Sequence, residues 1–200
     1  MNSIAYPIKD SLYLNITNRC TNECSFCIRN ISRMFNDKYP LWLEKEPTSE
    51  EIIQAIGDPK KYKQIVFCGY GEPLIRLDIV KTVSKAIKGH TSVRIDTNGH
   101  GNIYWGRNIL PELEGLIDSM SISLDAENAQ KYDTLCHSLF GEKAYASVIA
   151  FAKEAKKYIP EVELSAVGLP KTNIKACKKI AKELGVKFRV RTYYKKEYVR

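Results

Sequence analysis

The hydrophobic and polar positions of this chain alternate in a way that predicts short strands separated by helices. Apolar residues at every second position, Leu12, Leu14 and Ile16, are typical of a half-buried strand. Similar short apolar runs recur, and the longer segments between them predict helices. The predicted strands cover residues 12–16, 64–68, 92–96, 119–124, 161–167 and 186–190, and the predicted helices cover residues 77–88, 107–114, 127–137, 143–158 and 173–184.

Several helix boundaries are marked by residues with a clear local role. Thr48 and Glu51 have the spacing of a capping box, so we expect one more helix to begin there. Pro160 and Gly185 are expected to end the helices before them. Residues 28–47 are polar and aromatic and predict a long loop beside a functional site, because long loops in compact domains are often functional.

The alternation of strands and helices predicts an α/β fold with a parallel sheet and right-handed crossovers. The 200 residues suit a single domain covering residues 1–200, because domains commonly have about 100 to 250 residues. Ligand sites in such folds lie at the carboxyl ends of the strands. Distinctive residues follow four of the strands: cysteines after the first, residues 69–73 after the second, residues 96–99 after the third and Asp125 after the fourth.

Cys20, Cys24 and Cys27 follow the first strand with the spacing CxxxCxxC. Thiolates are the usual ligands of iron–sulfur clusters, normally four per cluster. No fourth ligand lies nearby in the sequence, which suggests an iron left open for a small molecule. The alternative is a zinc site, which requires a fourth Cys or His at close spacing, and the three histidines are far away in the sequence.

This segment, with Phe26 before the third cysteine, resembles the radical S-adenosylmethionine (radical SAM) enzymes. The resemblance covers nearly the whole chain and implies a partial (β/α)6 parallel barrel. It implies that Cys20, Cys24 and Cys27 bind a 4Fe-4S cluster and that S-adenosylmethionine (SAM) is the second cofactor. It also implies that Phe26 packs beside the adenine of SAM, whereas a buried core aromatic is the alternative.

The run Gly69-Tyr70-Gly71-Glu72-Pro73 resembles the family segment that holds the methionine amino group of SAM. Glycines allow a close approach of the backbone, a carboxylate compensates the charge of an ammonium group, and proline stiffens the turn. An ordinary Gly-Pro turn is the alternative interpretation.

Asp96, Thr97 and Asn98 resemble the family residues near the ribose and carboxylate of SAM. Their polar side chains suit a ribose diol, although an Asx turn uses the same residue types. Ser123 and Asp125 lie in a segment that resembles the fourth strand of many members. They alternate with apolar positions and so point to one face, into the barrel, where we assign them to cofactor or substrate.

The finer pattern resembles the TatD-associated radical SAM group, which brings no substrate with it. The matching runs are Cys-Gly-Tyr-Gly-Glu-Pro-Leu, Ile-Asp-Thr-Asn-Gly-His-Gly, Leu-Pro-Glu-Leu, Ser-Ile-Ser-Leu-Asp-Ala and Gly-Val-Lys-Phe-Arg-Val-Arg.

The net charge of +8 could attract nucleic acid, an anionic protein or a charged small molecule, or belong to solvated helix faces and a basic tail. No apolar run approaches the roughly 20 residues that span a membrane, and the N-terminus does not have the pattern of a signal peptide. We therefore expect a cytoplasmic protein without a membrane partner. In that compartment Cys68, Cys136 and Cys177 are expected to be buried thiols.

Three functions follow from these expectations. The first is a radical SAM enzyme, reduced by a partner such as flavodoxin or ferredoxin, whose 5′-deoxyadenosyl radical abstracts hydrogen from a small molecule or nucleotide. The second is an activase that makes a glycyl radical on a protein substrate. The third is a non-enzymatic iron–sulfur or zinc module. Modification of nucleic acid is a further alternative, in which the basic charge would contact phosphates.

Overall fold

The structure, a computed structural model, describes residues 3–193. Its strands are β1 (Ala5–Ile8), β2 (Ser11–Asn15), β3 (Met34–Phe35), β4 (Tyr39–Pro40), β5 (Gln64–Cys68), β6 (Ser92–Thr97), β7 (Ser119–Ser123), β8 (Glu161–Val167) and β9 (Lys187–Arg191). Its α-helices are α1 (Ser49–Ile56), α2 (Leu77–Ile87), α3 (Gly101–Trp105), α4 (Ala129–Cys136), α5 (Lys143–Ala155) and α6 (Ile174–Leu184).

Seven of these strands form one sheet in the order β1-β2-β5-β6-β7-β8-β9. Within this sheet six strands run parallel to one another: β2, β5, β6, β7, β8 and β9. Strand β1 is antiparallel to β2. The predicted parallel α/β sheet of six strands is therefore confirmed. In the part of the chain that the structure describes, β1 and β9 remain the two edges, so the sheet is not closed.

The core lies between the sheet and the helices that cover it. In β5 the side chains of Ile65, Val66 and Phe67 are all buried, as expected of a strand covered on both faces. In α2 the buried residues Leu77, Val80, Val83, Ser84 and Ile87 recur every three or four positions and so form one face of the helix. Burial of each such aliphatic side chain contributes roughly 1.5–3 kcal/mol.

The helix boundaries follow the predicted local chemistry. The hydroxyl of Thr48 accepts a hydrogen bond from the amide of Glu51, and the carboxylate of Glu51 accepts one from the amide of Thr48, so the capping box is confirmed. Asn173 caps α6, which therefore begins at Ile174, and Gly185 ends it in the left-handed conformation.

Two predicted segments differ in the structure. The helix predicted over residues 107–114 is absent there. Helix α3 precedes it and ends at Gly106, which has a φ of 63°, and only a 3-10 turn, Leu110–Leu113, follows. The predicted loop over residues 28–47 contains a 3-10 turn, Ile28–Asn30, and the β3–β4 hairpin.

Strand β1 was not predicted from the sequence. It forms an edge of the sheet, where Pro7 is tolerated because an edge strand needs only one row of hydrogen bonds. Its Tyr6 is buried against Leu41 and Tyr70 in a second small apolar cluster. Among residues 3–193, no helix has the length and apolar character that crossing a bilayer requires.

Candidate functional site

A cavity of about 340 Å³ opens at the carboxyl ends of the parallel strands. This is where ligands bind in folds of this kind, and the volume falls in the range of small-molecule sites. Of the residues predicted for the site, ten line the cavity: Cys20, Cys24, Phe26, Cys27, Gly69, Tyr70, Asp96, Asn98, Ser123 and Asp125. The other four, Gly71, Glu72, Pro73 and Thr97, are not among the residues that line it.

The segment that carries the three cysteines is held in place by hydrogen bonds to several elements. The amides of Glu23 and Ser25 donate to the carbonyls of Cys136 and Leu135, each at 2.9 Å. The side-chain amide of Asn98 donates to the hydroxyl of Thr21 at 2.8 Å and contacts Cys20 Sγ at 3.7 Å. The end of β6 and helix α4 thus fix the cysteine segment beside the cavity.

His100 belongs to this support and is not among the residues that line the cavity. Its ring is fully buried, with Nδ1 2.9 Å from Thr21 Oγ1 and Nε2 3.2 Å from the hydroxyl of Tyr132. Burial lowers the pKa of His100 to about 4. The imidazole is therefore neutral near pH 7 and serves as a hydrogen-bonding group below the cysteine segment.

The cysteine thiols are largely shielded from water. Burial raises the pKa of Cys20 to about 12 and also raises the pKa of Cys27. Both thiols are therefore protonated near pH 7 in the cluster-free protein, and binding of iron would have to displace these protons. Among the described residues, no three His, Cys, Asp or Glu side chains converge as ligands of a single metal ion would.

The turn after β5 lies against the segment that precedes the cysteines. Gly69 has a φ of 125°, and a Cβ at this position would lie 2.3 Å from Oδ1 of Asn15. That oxygen accepts a hydrogen bond from the amide of Tyr70, whose own hydroxyl donates to the carbonyl of Ser32 at 2.7 Å. The backbone can enter this turn because the first residue is glycine.

Gly71 makes a second close approach, to two backbone carbonyl groups. A Cβ here would lie 2.5 Å from the backbone carbonyl oxygens of both Thr17 and Arg19, and the next amide, of Glu72, donates to the Arg19 carbonyl at 2.8 Å. The turn after β5 and the cysteine segment therefore touch through their backbones. This contact explains why Gly71 lies directly behind the cavity wall rather than in it.

We expect Gly71→Ala to move the cysteine segment, because neither clashing carbonyl is the end of a flexible side chain. The expected result is a loss of about 1–3 kcal/mol in unfolding free energy, measured by urea titration, with less iron bound after anaerobic reconstitution. Gly57→Ala is the control, since no atom lies within 4 Å of the added methyl group and only the positive φ of 64° is penalised. A Gly71→Ala protein as stable and as rich in iron as the wild type would contradict this expectation.

Glu72 is buried with its carboxylate turned toward the neighbouring strand end. One oxygen accepts from the amide of Leu74 at 3.0 Å and from the hydroxyl of Thr97 at 2.8 Å, and the other accepts from the amide of Asn98 at 2.7 Å. Burial raises the pKa of Glu72 to about 7, against the lowering effect of these donors. Its carboxylate thus joins the turns after β5 and β6, and Pro73 begins the 3-10 turn that follows.

Asp96 lies in β6 and, as predicted, lines the cavity. Its carboxylate forms an ion pair with Arg94, with 2.9 Å between Nε and Oδ1, and the same guanidinium lies near the hydroxyl of Tyr13 at 3.3 Å. The charge of Asp96 is therefore already compensated by its own strand.

Asp125 has a left-handed backbone, with a φ of 52°, immediately beyond β7. Such a conformation is uncommon for a non-glycine residue and persists where the surroundings hold it. Two groups hold Asp125 in this conformation. The amide of Val167 donates to Oδ1 of Asp125 at 2.9 Å, and the guanidinium of Arg191 donates to the same oxygen at 2.6 Å. Ser123 lines the same side of the cavity.

Arg189 and Arg191 were not predicted for the site, yet both line the cavity. The signal was present as alternation along β9: Arg189 and Arg191 share one face of the strand, and the apolar residues Phe188 and Val190 share the opposite face. Tyr193 also lines the cavity, and the adjacent Tyr194 lies outside the described residues.

Two curated proteins share sequence similarity with most of this chain. One is a GTP 3′,8-cyclase of Lactiplantibacillus plantarum, 27% identical over 164 residues, which cover 80% of this chain and 46% of the cyclase. The other is the tungsten-containing aldehyde ferredoxin oxidoreductase cofactor-modifying protein of Pyrococcus furiosus, 27% identical over 180 residues, which cover 86% of this chain and 47% of that protein. The chain thus spans about half the length of these curated relatives.

Solved structures share the fold. The structure of native anSMEcpe with bound AdoMet matches with a TM-score of 0.68 at 15% identity, over 91% of this chain and 50% of that one. The structure of TYW1 with a lysine-pyruvate adduct bound matches with a TM-score of 0.66 at 14% identity, over 94% of this chain and 67% of that one. At this identity the likeness concerns the fold, which is the partial barrel that the sequence predicted.

The family itself is established by the sequence. The model of the radical SAM superfamily matches residues 14–184, a stretch that includes the three cysteines, all four strand-end segments, the whole of β5, β6, β7 and β8, and the last two residues of β2. Enzymes of this superfamily use a 4Fe-4S cluster and S-adenosylmethionine. This chain therefore belongs to the radical SAM superfamily.

Proposed function

We propose that this protein is a radical SAM enzyme whose substrate is a small molecule or nucleotide. The observation that carries the proposal is the convergence of Cys20, Cys24 and Cys27 with the ends of β5, β6 and β7 on one cavity. A GTP 3′,8-cyclase and a cofactor-modifying protein among the relatives support a substrate of this size. When bound, the reduced cluster and SAM supply a 5′-deoxyadenosyl radical that abstracts hydrogen from the substrate.

The residues present suit these cofactors. The three cysteines supply sulfur, the donor that iron–sulfur clusters prefer, and they leave room for a fourth ligand that is not a protein side chain. A Cβ at Gly69 would clash with Asn15 at the end of β2, and one at Gly71 would clash with the carbonyls of Thr17 and Arg19, so the turn after β5 packs closely against the residues that lead into the cysteine segment. We assign Cys20, Cys24 and Cys27 to the cluster, and Phe26, Gly69, Tyr70, Asp96, Asn98, Ser123 and Asp125 to the surroundings of SAM.

The remaining predicted residues would act through their neighbours. Gly71 sets the distance between the turn and the cysteine segment, and Glu72 orients Thr97 and Asn98 through its hydrogen bonds. Pro73 begins the 3-10 turn that carries the chain away from the site. The aromatic side chains of Tyr6, Tyr13 and Phe35 line the cavity and would exclude water from one of its sides.

The finer assignments are also proposals. The matching runs of residues favour the TatD-associated group within the superfamily. We also propose that residues 1–200 form a single domain, because their number suits one domain. We propose that the protein acts in the cytoplasm as an oxidoreductase, with flavodoxin or ferredoxin as the source of the electron.

The test is anaerobic cleavage of SAM. The protein is reconstituted with iron and sulfide, reduced with dithionite and incubated with SAM, and 5′-deoxyadenosine is followed by mass spectrometry. We expect a 4Fe-4S absorption spectrum and formation of 5′-deoxyadenosine. If only zinc binds and no cluster forms, the protein is a zinc module; a cluster with no SAM binding would indicate a non-enzymatic iron–sulfur protein.

A further inference from the structure

One side of the cavity carries two arginines that are not among the predicted site residues, and each is paired with a carboxylate, Arg189 with Glu163 and Arg191 with Asp125. Arg189 and Arg191 lie two positions apart on β9, so their side chains leave the strand on the same face, and both line the cavity. Neither belongs to the cysteine segment or to the turns after β5 and β6. Ser121 and Ser165, which also line the cavity, add hydroxyl groups from β7 and β8 beside them.

Within residues 3–193, Arg191 is held at this position by a hydrogen bond from one of its nitrogens. Its Nη2 donates to Oδ1 of Asp125 at 2.6 Å, an oxygen that also accepts from the amide of Val167. Its Nε is buried and has no hydrogen-bond partner among the described residues. Buried donors in proteins nearly always have a partner, so an unpaired Nε in a cavity indicates that a bound molecule supplies one.

Arg189 adds positive charge to the same side. Its Nε donates to Glu163 at 2.7 Å and its Nη2 donates to the hydroxyl of Ser121 at 2.9 Å, an oxygen that lies 3.5 Å from the hydroxyl of Ser165. The guanidinium is thereby oriented before any ligand arrives. A polar group that enters this side of the cavity meets two fixed arginines and two hydroxyls.

We propose that Arg191, supported by Arg189, binds an anionic group of the substrate, a carboxylate or a phosphate. The proposal rests on the proposed function only in taking this cavity as the substrate site. A guanidinium presents its donors in a planar fork that suits the oxygens of both anions; in Arg191 the Nη2 donor of that fork is engaged by Asp125, and the Nε donor remains for an oxygen of the bound anion. Tyr6, Tyr13 and Phe35 line the same cavity, with the Tyr6 ring centroid 5.7 Å from that of Tyr13 and 5.8 Å from that of Phe35, so the rest of the substrate is expected to contain a planar or apolar part.

The test uses the reconstituted, SAM-bound protein and three small aromatic probes. Phenyl phosphate and benzoate carry the two candidate anions, and benzyl alcohol is their uncharged match. Dissociation constants are measured by isothermal titration calorimetry for the wild type, Arg191→Gln and Arg191→Lys. The lysine variant keeps the positive charge beside Asp125 and loses only the fork, so it remains informative if Arg191→Gln does not fold. Arg107→Gln is the control, because Arg107 pairs with Glu112 and does not line the cavity.

We expect the wild type to bind one of the two anions at least tenfold more tightly than benzyl alcohol, and the preferred anion identifies the group. Loss of the fork is expected to weaken that binding roughly ten- to hundredfold in both Arg191 variants, with anion binding by Arg107→Gln unchanged. In Arg191→Lys, which keeps a cation beside Asp125, the affinity for SAM is expected to fall by much less than the affinity for the anion. Equal binding of anions and alcohol, or equal anion binding by the wild type and both variants, would overturn the inference. So would a parallel loss of SAM affinity, because Arg191 would then serve the cofactor. Failure of the proposed function is separate, since it would appear as no cluster or no SAM cleavage in the wild type.

Discussion

Alanine at Cys20, Cys24 or Cys27 is expected to abolish both the 4Fe-4S cluster and the formation of 5′-deoxyadenosine. The CxxxCxxC segment supplies three thiols to the cavity wall, and each of them is needed as a sulfur ligand. With two thiolates the segment cannot hold a cluster that normally has four ligands. Iron and sulfide content, the visible spectrum after reconstitution and the yield of 5′-deoxyadenosine are the measurements.

The three other cysteines provide matched controls within the same chain. Cys177 is buried in α6 and Cys68 lines the cavity at the end of β5, and we expect alanine at either position to leave the iron content unchanged. Cys136 is the most demanding control, since its thiol is hydrogen-bonded to that of Cys24 and this contact and burial raise the pKa of Cys136. Full iron content in the Cys20, Cys24 and Cys27 variants, or its loss in Cys177→Ala, would contradict the assignment.

The parallel sheet was predictable because its signals are local. Each parallel strand is a short apolar or alternating run, and each turn that follows has glycine, asparagine or aspartate where the chain must reverse. The six strands appear within one or two residues of their expected ends. Strand β1 escaped prediction because it is only four residues long and contains Pro7, and its pairing with β2 depends on a partner rather than on its own pattern.

The site was predictable only in part, because burial and side-chain direction depend on contacts across the sheet. The sequence shows that Glu72 follows a glycine turn, but only the fold shows that its carboxylate faces the amides of Leu74 and Asn98 instead of lining the cavity. In the sequence, nothing distinguishes Arg191 from the basic residues that follow it. Its role becomes visible because the parallel register of β8 and β9 places it opposite Val167, whose amide also binds Asp125.

Replacing Glu72 with glutamine is expected to change the pH dependence of stability. The pKa of Glu72 is raised by burial from an ordinary value near 4.5 to about 7, so the folded state holds a proton that the unfolded state has released between these two values. The carboxyl group therefore contributes stability that is complete below about pH 4.5 and is lost as the pH rises through 7. The difference of about 2.5 pKa units corresponds to roughly 3 kcal/mol.

The measurement is urea unfolding of the cluster-free wild type and Glu72→Gln between pH 4 and 8, under reducing conditions. The unfolding free energy of the wild type minus that of the variant is expected to be largest at pH 4 and to decrease by about 3 kcal/mol toward pH 8. A constant cost of about 1–3 kcal/mol is superimposed, because either orientation of the new amide turns an NH₂ group toward a backbone N–H, of Leu74 or of Asn98.

Glu50→Gln, at the exposed start of α1, is the matched control for the sign of this effect. The pKa of Glu50 is lowered, first by a hydrogen bond with its own backbone N–H, so its contribution is lost as the pH falls and the difference from wild type changes in the opposite direction. If the difference in unfolding free energy between wild type and Glu72→Gln increased with pH, as expected for Glu50→Gln, the three donors would outweigh burial. Glu72 would then be a carboxylate over most of the range from pH 4 to 8. The expected decrease would instead show that burial of the charge outweighs the three donors, so that the folded state is most stable when Glu72 is protonated.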